Sequence, residues 1–119
     1  MPFGALRAEV QRRLGDFLKS EGFSETRYEY SEQEFGNEIL DLKNGIFGIR
    51  FTQDRGPIGI ELWTQGGVYR DASALLVELG LPKPPSPPDF NFKRGFSFEA
   101  DHLMTEWPRL KTLLRTKVR

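Results

Sequence analysis

The single histidine of the chain, His102, is the first candidate for acid–base chemistry. An imidazole acts as a general base only where partner groups are held against it, and His102 lies near Asp101 and Glu106 in the sequence. No nucleophile–base pair can be named from these residues. We therefore interpret His102 as a surface histidine on the polar side of a helix, and we predict no catalytic residue.

Metal and cofactor chemistry has few suitable residues in this chain. Cysteine is absent, which excludes thiolate ligands, disulfides and a thiol nucleophile, and one histidine with scattered carboxylates is a poor supply for a zinc site. The sequence has no P-loop and no G-x-G-x-x-G after a strand. We expect no metal ion and no cofactor. A small enzyme with a carboxylate-based site is an alternative, although no spacing among the 17 acids selects two of them.

Charge is balanced overall, with 17 basic and 17 acidic residues, but it is unevenly distributed. Region 21–41 contains seven acids and one base, whereas region 109–119 contains five bases and no acid. Such asymmetry can mark a partner surface. The bases of the C-terminal region alternate with leucines, as in a helix packed by its apolar face, so we do not predict direct nucleic-acid binding. The seven acids are Glu21, Glu25, Glu29, Glu32, Glu34, Glu38 and Asp41.

The N-terminal element that precedes these acids has the period of an amphipathic helix. Residues 5–21 predict this helix, and Gly22 ends it in the C′ position. Gly15 inside the helix indicates close packing against another element, because glycine is otherwise unfavourable there. The apolar stripe consists of Leu6, Val10, Leu14, Phe17 and Leu18.

The middle of the chain alternates polar and apolar residues, as strands of an antiparallel sheet do. Strands are predicted at 26–32 and 38–43, followed by a two-residue type I′ turn at Asn44-Gly45. A second turn lies within 53–56, between two further strands. The sequence therefore predicts a meander of consecutive hairpins.

Both turns of this meander assign the same side chains to the core. The first turn places Leu42 opposite Phe47, and the second places Phe51 opposite Ile58. A slip of one residue would turn the apolar rows outward. The predicted core row is Leu40, Leu42, Phe47, Ile49, Phe51, Ile58, Ile60 and Leu62.

The other face of the predicted sheet is less apolar. In the same register Arg50 lies opposite Gly59, and Gly48 lies opposite Glu61. Glycines in a strand leave backbone that another molecule can approach. The residues of this face are Ile39, Asp41, Gly48, Arg50, Thr52, Gly59, Glu61 and Trp63.

A short helix and a proline-rich segment follow the sheet. The helix is predicted at 71–79, with Asp71 as its N-cap and Gly80 after its end. Segment 82–88 contains five prolines and predicts a stiff extended connector. A ligand for a proline-binding module is the alternative interpretation.

The C-terminal part is predicted to begin with an extended segment at 90–98. From Glu99 onward the apolar spacing favours helix. Because proline is unfavourable inside a helix, Pro108 predicts either a break or a new helix capped by Thr105.

Together these elements predict a single α+β domain over residues 1–119. It has an N-terminal helix, an antiparallel meander sheet of about four strands and C-terminal helices. The length of 119 residues and the hydrophobic content of 38% suit one globular core. No apolar run suits a membrane span or a signal peptide, so we expect a cytoplasmic protein without a membrane partner.

Protein binding is the function that the remaining features favour. Acids mixed with aromatic side chains can cover the basic active site of a nuclease, because charge speeds encounter and aromatics supply anchors. An adaptor or chaperone-like module is the alternative, and the oligomeric state is open. The predicted partner-binding residues are Glu25, Tyr28, Glu29, Tyr30, Glu32, Glu34, Asp54, Arg55, Trp63 and Tyr69.

The run FGNEILDLKNGIFGIRFTQDRGPIGIELW, residues 35–63, resembles a motif of small bacterial α+β proteins. These proteins are similar to immunity proteins of polymorphic and contact-dependent toxin systems. The resemblance implies a protein that binds and neutralises a cognate toxin domain inside the producing cell. It also implies a mainly structural role, in turns and strand register, for the matching residues Phe35, Gly36, Asn37, Arg50, Phe51, Asp54, Arg55 and Gly56.

Overall fold

The computed structural model of the protein describes residues 5–31, 37–53, 58–63, 68–82 and 92–117. Within these ranges an N-terminal helix is followed by a five-stranded antiparallel sheet and two C-terminal helices, which confirms the predicted α+β fold. The elements are α1 (Ala5–Ser20), β1 (Ser24–Ser31), β2 (Asn37–Lys43), β3 (Gly48–Gln53), β4 (Ile58–Trp63), β5 (Tyr69–Asp71), α2 (Ala72–Glu78) and α3 (Phe92–Lys117).

The sheet is a meander in which the order of the strands is their order in the chain, β1-β2-β3-β4-β5. Each neighbouring pair is antiparallel. The strand β5 adds three residues beyond the predicted meander and leads directly into α2.

The register of the first hairpin differs from the prediction by two residues. Leu42 lies opposite Ile49 rather than Phe47. The turn is centred one residue later than predicted, because Gly45, with φ of 92°, takes the first central position. Asn44 closes the turn instead: its N–H donates to the Phe47 carbonyl at 3.1 Å, and its Oδ1 accepts the Phe47 N–H at 2.8 Å.

The second hairpin is displaced in the same way. Phe51 lies opposite Ile60 rather than Ile58, while turn residues 54–57 are outside the described ranges. A shift of two residues keeps every side chain on its predicted face, because side chains alternate with a period of two. The predicted core row is therefore correct, and all of its members are buried: Leu40, Leu42, Phe47, Ile49, Phe51, Ile58, Ile60 and Leu62.

On the opposite face the same shift changes which side chains are neighbours. Arg50 lies opposite Glu61 rather than Gly59, and Gly48 lies opposite Trp63 rather than Glu61. The predicted pairing of glycines with charged residues was wrong. Instead, the base Arg50 lies opposite the acid Glu61.

All three helices pack on one face of the sheet, which we call the helix face. The helix α1 contacts β2 and β3, α3 contacts β4, and α2 contacts β4 and β5. Their apolar side chains and the core row of the strands form one buried cluster. The helices contribute Leu6, Val10, Leu14, Leu18, Ala72, Leu75, Leu76, Phe96, Ala100, Leu103, Trp107, Leu110 and Leu114.

The end of α1 confirms the predicted role of Gly22. This glycine has φ of 79°, the left-handed conformation that a C′ residue adopts. The N–H of Phe23 donates to the Leu18 carbonyl at 2.8 Å, and the N–H of Gly22 donates to the Lys19 carbonyl at 3.1 Å. These two bonds define a Schellman motif, which turns the chain into β1.

The expectation of close packing at Gly15 was wrong. The three atoms nearest to a Cβ placed there all belong to Gln11 of the same helix. Gly15 instead lines a groove of about 410 Å³ between α1 and the β1–β2 hairpin. The glycine therefore leaves space rather than filling it.

The predictions for α2 are confirmed at both ends. The Asp71 carboxylate accepts the Ala74 N–H at 3.0 Å, and Gly80 has φ of 81° just after the helix. The proline-rich connector 82–88 lies outside the described residues except for Pro82.

The prediction of an extended segment at 90–98 was wrong from residue 92 onward, because α3 begins at Phe92, while residues 90 and 91 lie outside the described ranges. The predicted break near Pro108 was also wrong, because α3 is continuous through it to Lys117. Thr105 is not an N-cap, since its hydroxyl donates to the Asp101 carbonyl at 2.9 Å within the helix.

Burial explains why α3 continues through proline. Trp107 precedes Pro108 and is 1% exposed, and Leu110 follows it and is fully buried. Both side chains contact the core, so packing on either side of the proline outweighs the backbone hydrogen bond that it removes. None of the helices in the described ranges is both long and apolar enough to span a membrane.

Trp107 is the centre of an aromatic cluster on the helix face. Its ring makes edge-on contacts with Phe17, Phe23 and Phe47, at centroid distances of 5.8, 5.9 and 5.3 Å. Its indole N–H donates to Glu21 Oε1 at 2.8 Å. The buried ring thus has a polar partner at the end of α1.

Candidate functional site

The face of the sheet opposite the helices, which we call the open face, has a row of charged residues across all five strands. Arg27 lies opposite Asp41, Asp41 opposite Arg50, and Arg50 opposite Glu61. Glu61 in turn lies opposite Asp71 on β5. Residues directly opposite in antiparallel strands share a face, so these side chains form one continuous row, which we call the charge row.

The centre of the charge row is a partly buried ion pair. Arg50 Nε and Nη2 donate to the two carboxylate oxygens of Asp41 at 2.7 and 3.0 Å. The side chain of Asp41 is 7% exposed and that of Arg50 is 24% exposed. The hydrogen bond to Asp41 raises the pKa of Arg50, so the guanidinium stays charged. This two-bond contact fixes both side chains across β2 and β3.

An aromatic row lies beside the charge row on the same face. Trp63 is opposite both Gly48 and Tyr69. The Arg50 guanidinium lies 3.9 Å from the centre of the Tyr69 ring, and the Lys43 ammonium lies 5.2 Å from the centre of the Trp63 ring. Both aromatic side chains are therefore in contact with a cation and are partly exposed.

Gly48 makes the close approach of the aromatic row possible. A Cβ at this position would lie 2.8 Å from the Cβ of Trp63 and 3.3 Å from the hydroxyl of Tyr69. The Tyr69 hydroxyl is buried and has no hydrogen-bond partner among the residues that the structure describes. Burial is also the main reason that the pKa of Tyr69 is raised. The tyrosine is thus neutral and lies over the backbone of β3.

The predicted partner-binding residues divide between the two faces. Glu29 lies opposite Ile39 and is on the open face with Trp63 and Tyr69. Tyr30 lies opposite Glu38, which belongs to the helix face. Glu25 and Tyr28 are also on the helix face. The other four predicted residues, Glu32, Glu34, Asp54 and Arg55, lie outside the described ranges.

Glu25 and Tyr28 are engaged by α1. Arg7 donates to both oxygens of Glu25 at 2.9 and 3.0 Å, and its guanidinium lies 3.9 Å from the centre of the Tyr28 ring. The Tyr28 hydroxyl donates to Glu38 Oε2 at 2.6 Å. These two residues therefore help to dock α1 on the sheet.

Glu38 is the buried acid of this cluster, at 1% exposed. Its Oε1 accepts the backbone N–H of Leu6 at 3.2 Å, in the first turn of α1. A carboxylate at this position complements the positive end of the helix dipole. In the sequence Glu38 is one of the seven acids of region 21–41, and only its even spacing from Leu40, which places both side chains on the same face of β2, indicates a position on the helix face.

Asp41 and Arg50 are the residues of the open face that the predicted site lacked. The signal that could have identified them is the register. With Gly45 in the first central position of the turn, the strands bring these two opposite charges together. Their sequence separation of 9 carries no information without that turn.

A pair of nearby carboxylates bears on the alternative of a carboxylate-based enzyme. The pKa of Glu99 is raised, mainly by burial and in addition by the charge of Asp71. Asp71, however, already caps α2 through Ala74. His102 is likewise engaged, since its Nε2 lies 2.7 Å from the Pro82 carbonyl and must donate to it.

In the ranges that the structure covers, no three His, Asp or Glu side chains are grouped to hold a metal ion. Comparison of the chain with protein-family models, with curated proteins and with solved structures gives no match.

Proposed function

We propose that this protein is a non-catalytic immunity protein of the cytoplasm, which binds a cognate bacterial toxin domain and neutralises it by occluding its active site. The observation that supports the proposal best is the division of the sheet. The helix face is filled by α1, α2 and α3, whereas the open face presents the charge row and the aromatic row.

The open face has the composition of a binding surface. Tryptophan, tyrosine and arginine are the side chains that most often contribute strongly to protein–protein binding. Trp63, Tyr69 and Arg50 are adjacent here, and each already has a fixed contact within the protein. Fixed side chains lose little conformational entropy on binding, which favours affinity.

The edge of the open face carries exposed charge. Glu29 lies at this edge, and its side chain is 54% exposed. Acids at the rim of an interface accelerate encounter with a basic partner, and the active site of a nuclease is such a partner. A nuclease domain is therefore the toxin class that fits this surface.

The first experiment is co-expression with the protein encoded immediately upstream, followed by co-purification and an assay of that protein's toxic activity. The proposal predicts a stable complex in which the activity is lost. An adaptor, in contrast, would bind without abolishing activity.

Two variants then test the open face. Trp63→Ala is expected to weaken binding about tenfold or more, mainly through faster dissociation. Glu29→Lys is expected to slow association, most clearly at low ionic strength. Asp16→Lys is the matched control, because it makes the same charge change on the exposed side of α1. Wild-type kinetics in both Trp63→Ala and Glu29→Lys would exclude the open face as the binding surface.

A further inference from the structure

The turn between β2 and β3 contains the pair Asn44-Gly45, which has a chemical reactivity of its own. The backbone nitrogen that follows an asparagine can attack the side-chain amide carbon, Cγ, and glycine hinders this attack least because it has no side chain. The other two asparagines of the chain, Asn37 and Asn91, precede a glutamate and a phenylalanine. Asn44 is therefore the asparagine whose neighbour in sequence best suits deamidation.

Three hydrogen bonds hold the side chain of Asn44. Its Oδ1 accepts the N–H of Ile46 at 3.1 Å and the N–H of Phe47 at 2.8 Å. Its Nδ2 donates to the backbone carbonyl of Glu21 at 3.0 Å, just beyond the last residue of α1. The side-chain amide is thus bonded to its own turn through the oxygen and to the end of α1 through the nitrogen.

The nucleophile of the reaction is accessible, whereas its target is restrained. Gly45 is exposed, and a Cβ placed on it would meet nothing within 4 Å. Water and hydroxide therefore reach this residue. Attack converts the planar Cγ of Asn44 into a tetrahedral centre, so Oδ1 and Nδ2 must both move, and their three hydrogen bonds oppose this movement.

We propose that Asn44 is a site of spontaneous deamidation whose rate is controlled by its contact with the end of α1. The reaction is slow while Nδ2 is bonded to the Glu21 carbonyl and fast when the end of α1 opens. Local opening of this kind exposes a group without unfolding the whole chain. The inference concerns the chain alone and is independent of the proposed function.

The chemistry needs only water. The Gly45 nitrogen loses its proton to hydroxide and forms a bond to Asn44 Cγ. The bond from Cγ to Nδ2 breaks, and the nitrogen takes up a proton from water and leaves as ammonia. Hydrolysis of the resulting succinimide at either carbonyl gives aspartate or isoaspartate. In total one water is added and one ammonia is lost, without oxidation or reduction.

The product no longer joins the turn to α1. An oxygen takes the place of Nδ2, so an acceptor faces the Glu21 carbonyl where a donor did, and the hydrogen bond is lost. Isoaspartate also adds one atom to the main chain, which displaces the N–H groups of Ile46 and Phe47 from their acceptor. Deamidation is therefore expected to release the β2–β3 turn from α1.

Peptide mapping by mass spectrometry after incubation at mildly alkaline pH measures the rate at which aspartate and isoaspartate form at position 44. The folded wild type is expected to react at least about tenfold more slowly than the same chain unfolded in guanidinium chloride. Equal rates would overturn protection by the fold. Absence of both products in the unfolded chain would show that Asn44 is not a deamidation site.

Two glycine variants separate the contact with α1 from general stability. Gly22 has φ of 79°, and a Cβ there would lie 4.0 Å from the Cβ of Asn44. Because alanine is strained in this conformation, Gly22→Ala is expected to open the end of α1 more often and to accelerate deamidation about fivefold or more. Gly80→Ala is the matched control, because Gly80 has φ of 81° at the end of α2. Its expected change in rate is within about twofold.

Circular dichroism checks that both variants are folded. Equal acceleration by Gly22→Ala and Gly80→Ala would assign the rate to global unfolding and overturn the proposal. An unchanged rate in Gly22→Ala would likewise show that the contact with α1 does not control the reaction. The comparison of folded and unfolded wild type remains decisive if Gly22→Ala does not fold.

Discussion

The two faces of the sheet follow the same alternation of side chains but are stabilised differently. On the helix face Ile49 and Phe51 are fully buried, and removal of apolar area from water provides the stability. On the open face Asp41 is buried as well, and its carboxylate accepts two hydrogen bonds from Arg50. A polar face can therefore hold a buried charge when that charge has a hydrogen-bonded partner.

The largest expected effect comes from removing a core ring. Phe51→Ala is expected to reduce the free energy of unfolding by about 3–5 kcal/mol, because Phe51 is fully buried and packs edge-on against Phe96. Thr52 is the neighbour of Phe51 on the open face, and Thr52→Ala is expected to change the free energy of unfolding by less than about 0.5 kcal/mol. Urea unfolding measures both. Similar losses of unfolding free energy in the two variants would contradict the conclusion that apolar burial stabilises the helix face more than the open face.

An intermediate effect is expected for the central ion pair of the open face. Asp41→Ala leaves Arg50 without its carboxylate and is expected to cost about 1–3 kcal/mol of unfolding free energy. The exposed pair between Arg7 and Glu25 has the same two-bond geometry, so Glu25→Ala is the control, with a loss of about 1 kcal/mol or less.

A double-mutant cycle with Arg50→Ala separates the coupling of Asp41 and Arg50 from the other contacts of each residue. A coupling energy no larger than that of the exposed pair would mean that burial adds nothing to the interaction.

The smallest effect is expected for Glu21, which follows the last residue of α1. Its contribution to stability can be measured by unfolding at acidic pH. The indole N–H of Trp107 lowers the pKa of Glu21, and Lys111 adds to this, while burial opposes it. A carboxyl group with a lowered pKa in the folded state stabilises the protein above its unfolded pKa of about 4.3. This contribution is lost as pH falls through the lower, folded pKa.

Urea titrations across this acidic range should therefore show a steeper loss of stability for the wild type than for Glu21→Gln. Asp16→Asn serves as the exposed control and should retain the wild-type slope. Identical slopes for wild type and Glu21→Gln would show that the hydrogen bond from Trp107 to Glu21 does not contribute to the pH dependence of stability.

The faces of the strands were predictable from the sequence, whereas the cross-strand neighbours were not. Alternation alone assigns Leu42 and Phe51 to the core. This assignment holds for every register shift of an even number of residues. The neighbours depend on which residue of Asn44-Gly45 takes the first central position. The Oδ1 of Asn44 accepts the Phe47 N–H, and this side-chain bond decides the outcome. The candidate site therefore lacked its central ion pair.

Local rules also failed where tertiary packing opposed them. Pro108 predicts an interruption of α3, but burial of Trp107 and Leu110 on either side keeps the helix continuous. Glu38 has the sequence context of a surface acid, yet the N-terminus of α1 and the Tyr28 hydroxyl provide it with buried partners. In both cases the deciding contact comes from a distant part of the chain.

The identity of strand order and chain order has a consequence for how the molecule assembles. Each hairpin closes across a short connection, so the entropy lost in pairing successive strands is small. The bond from Trp107 to Glu21 joins residues 86 apart and brings the first and last helices together. We expect that the packing of α1 against α3, and not strand pairing, limits the folding rate. Few interactions favour this contact between distant parts of the chain until the sheet provides a surface for both helices.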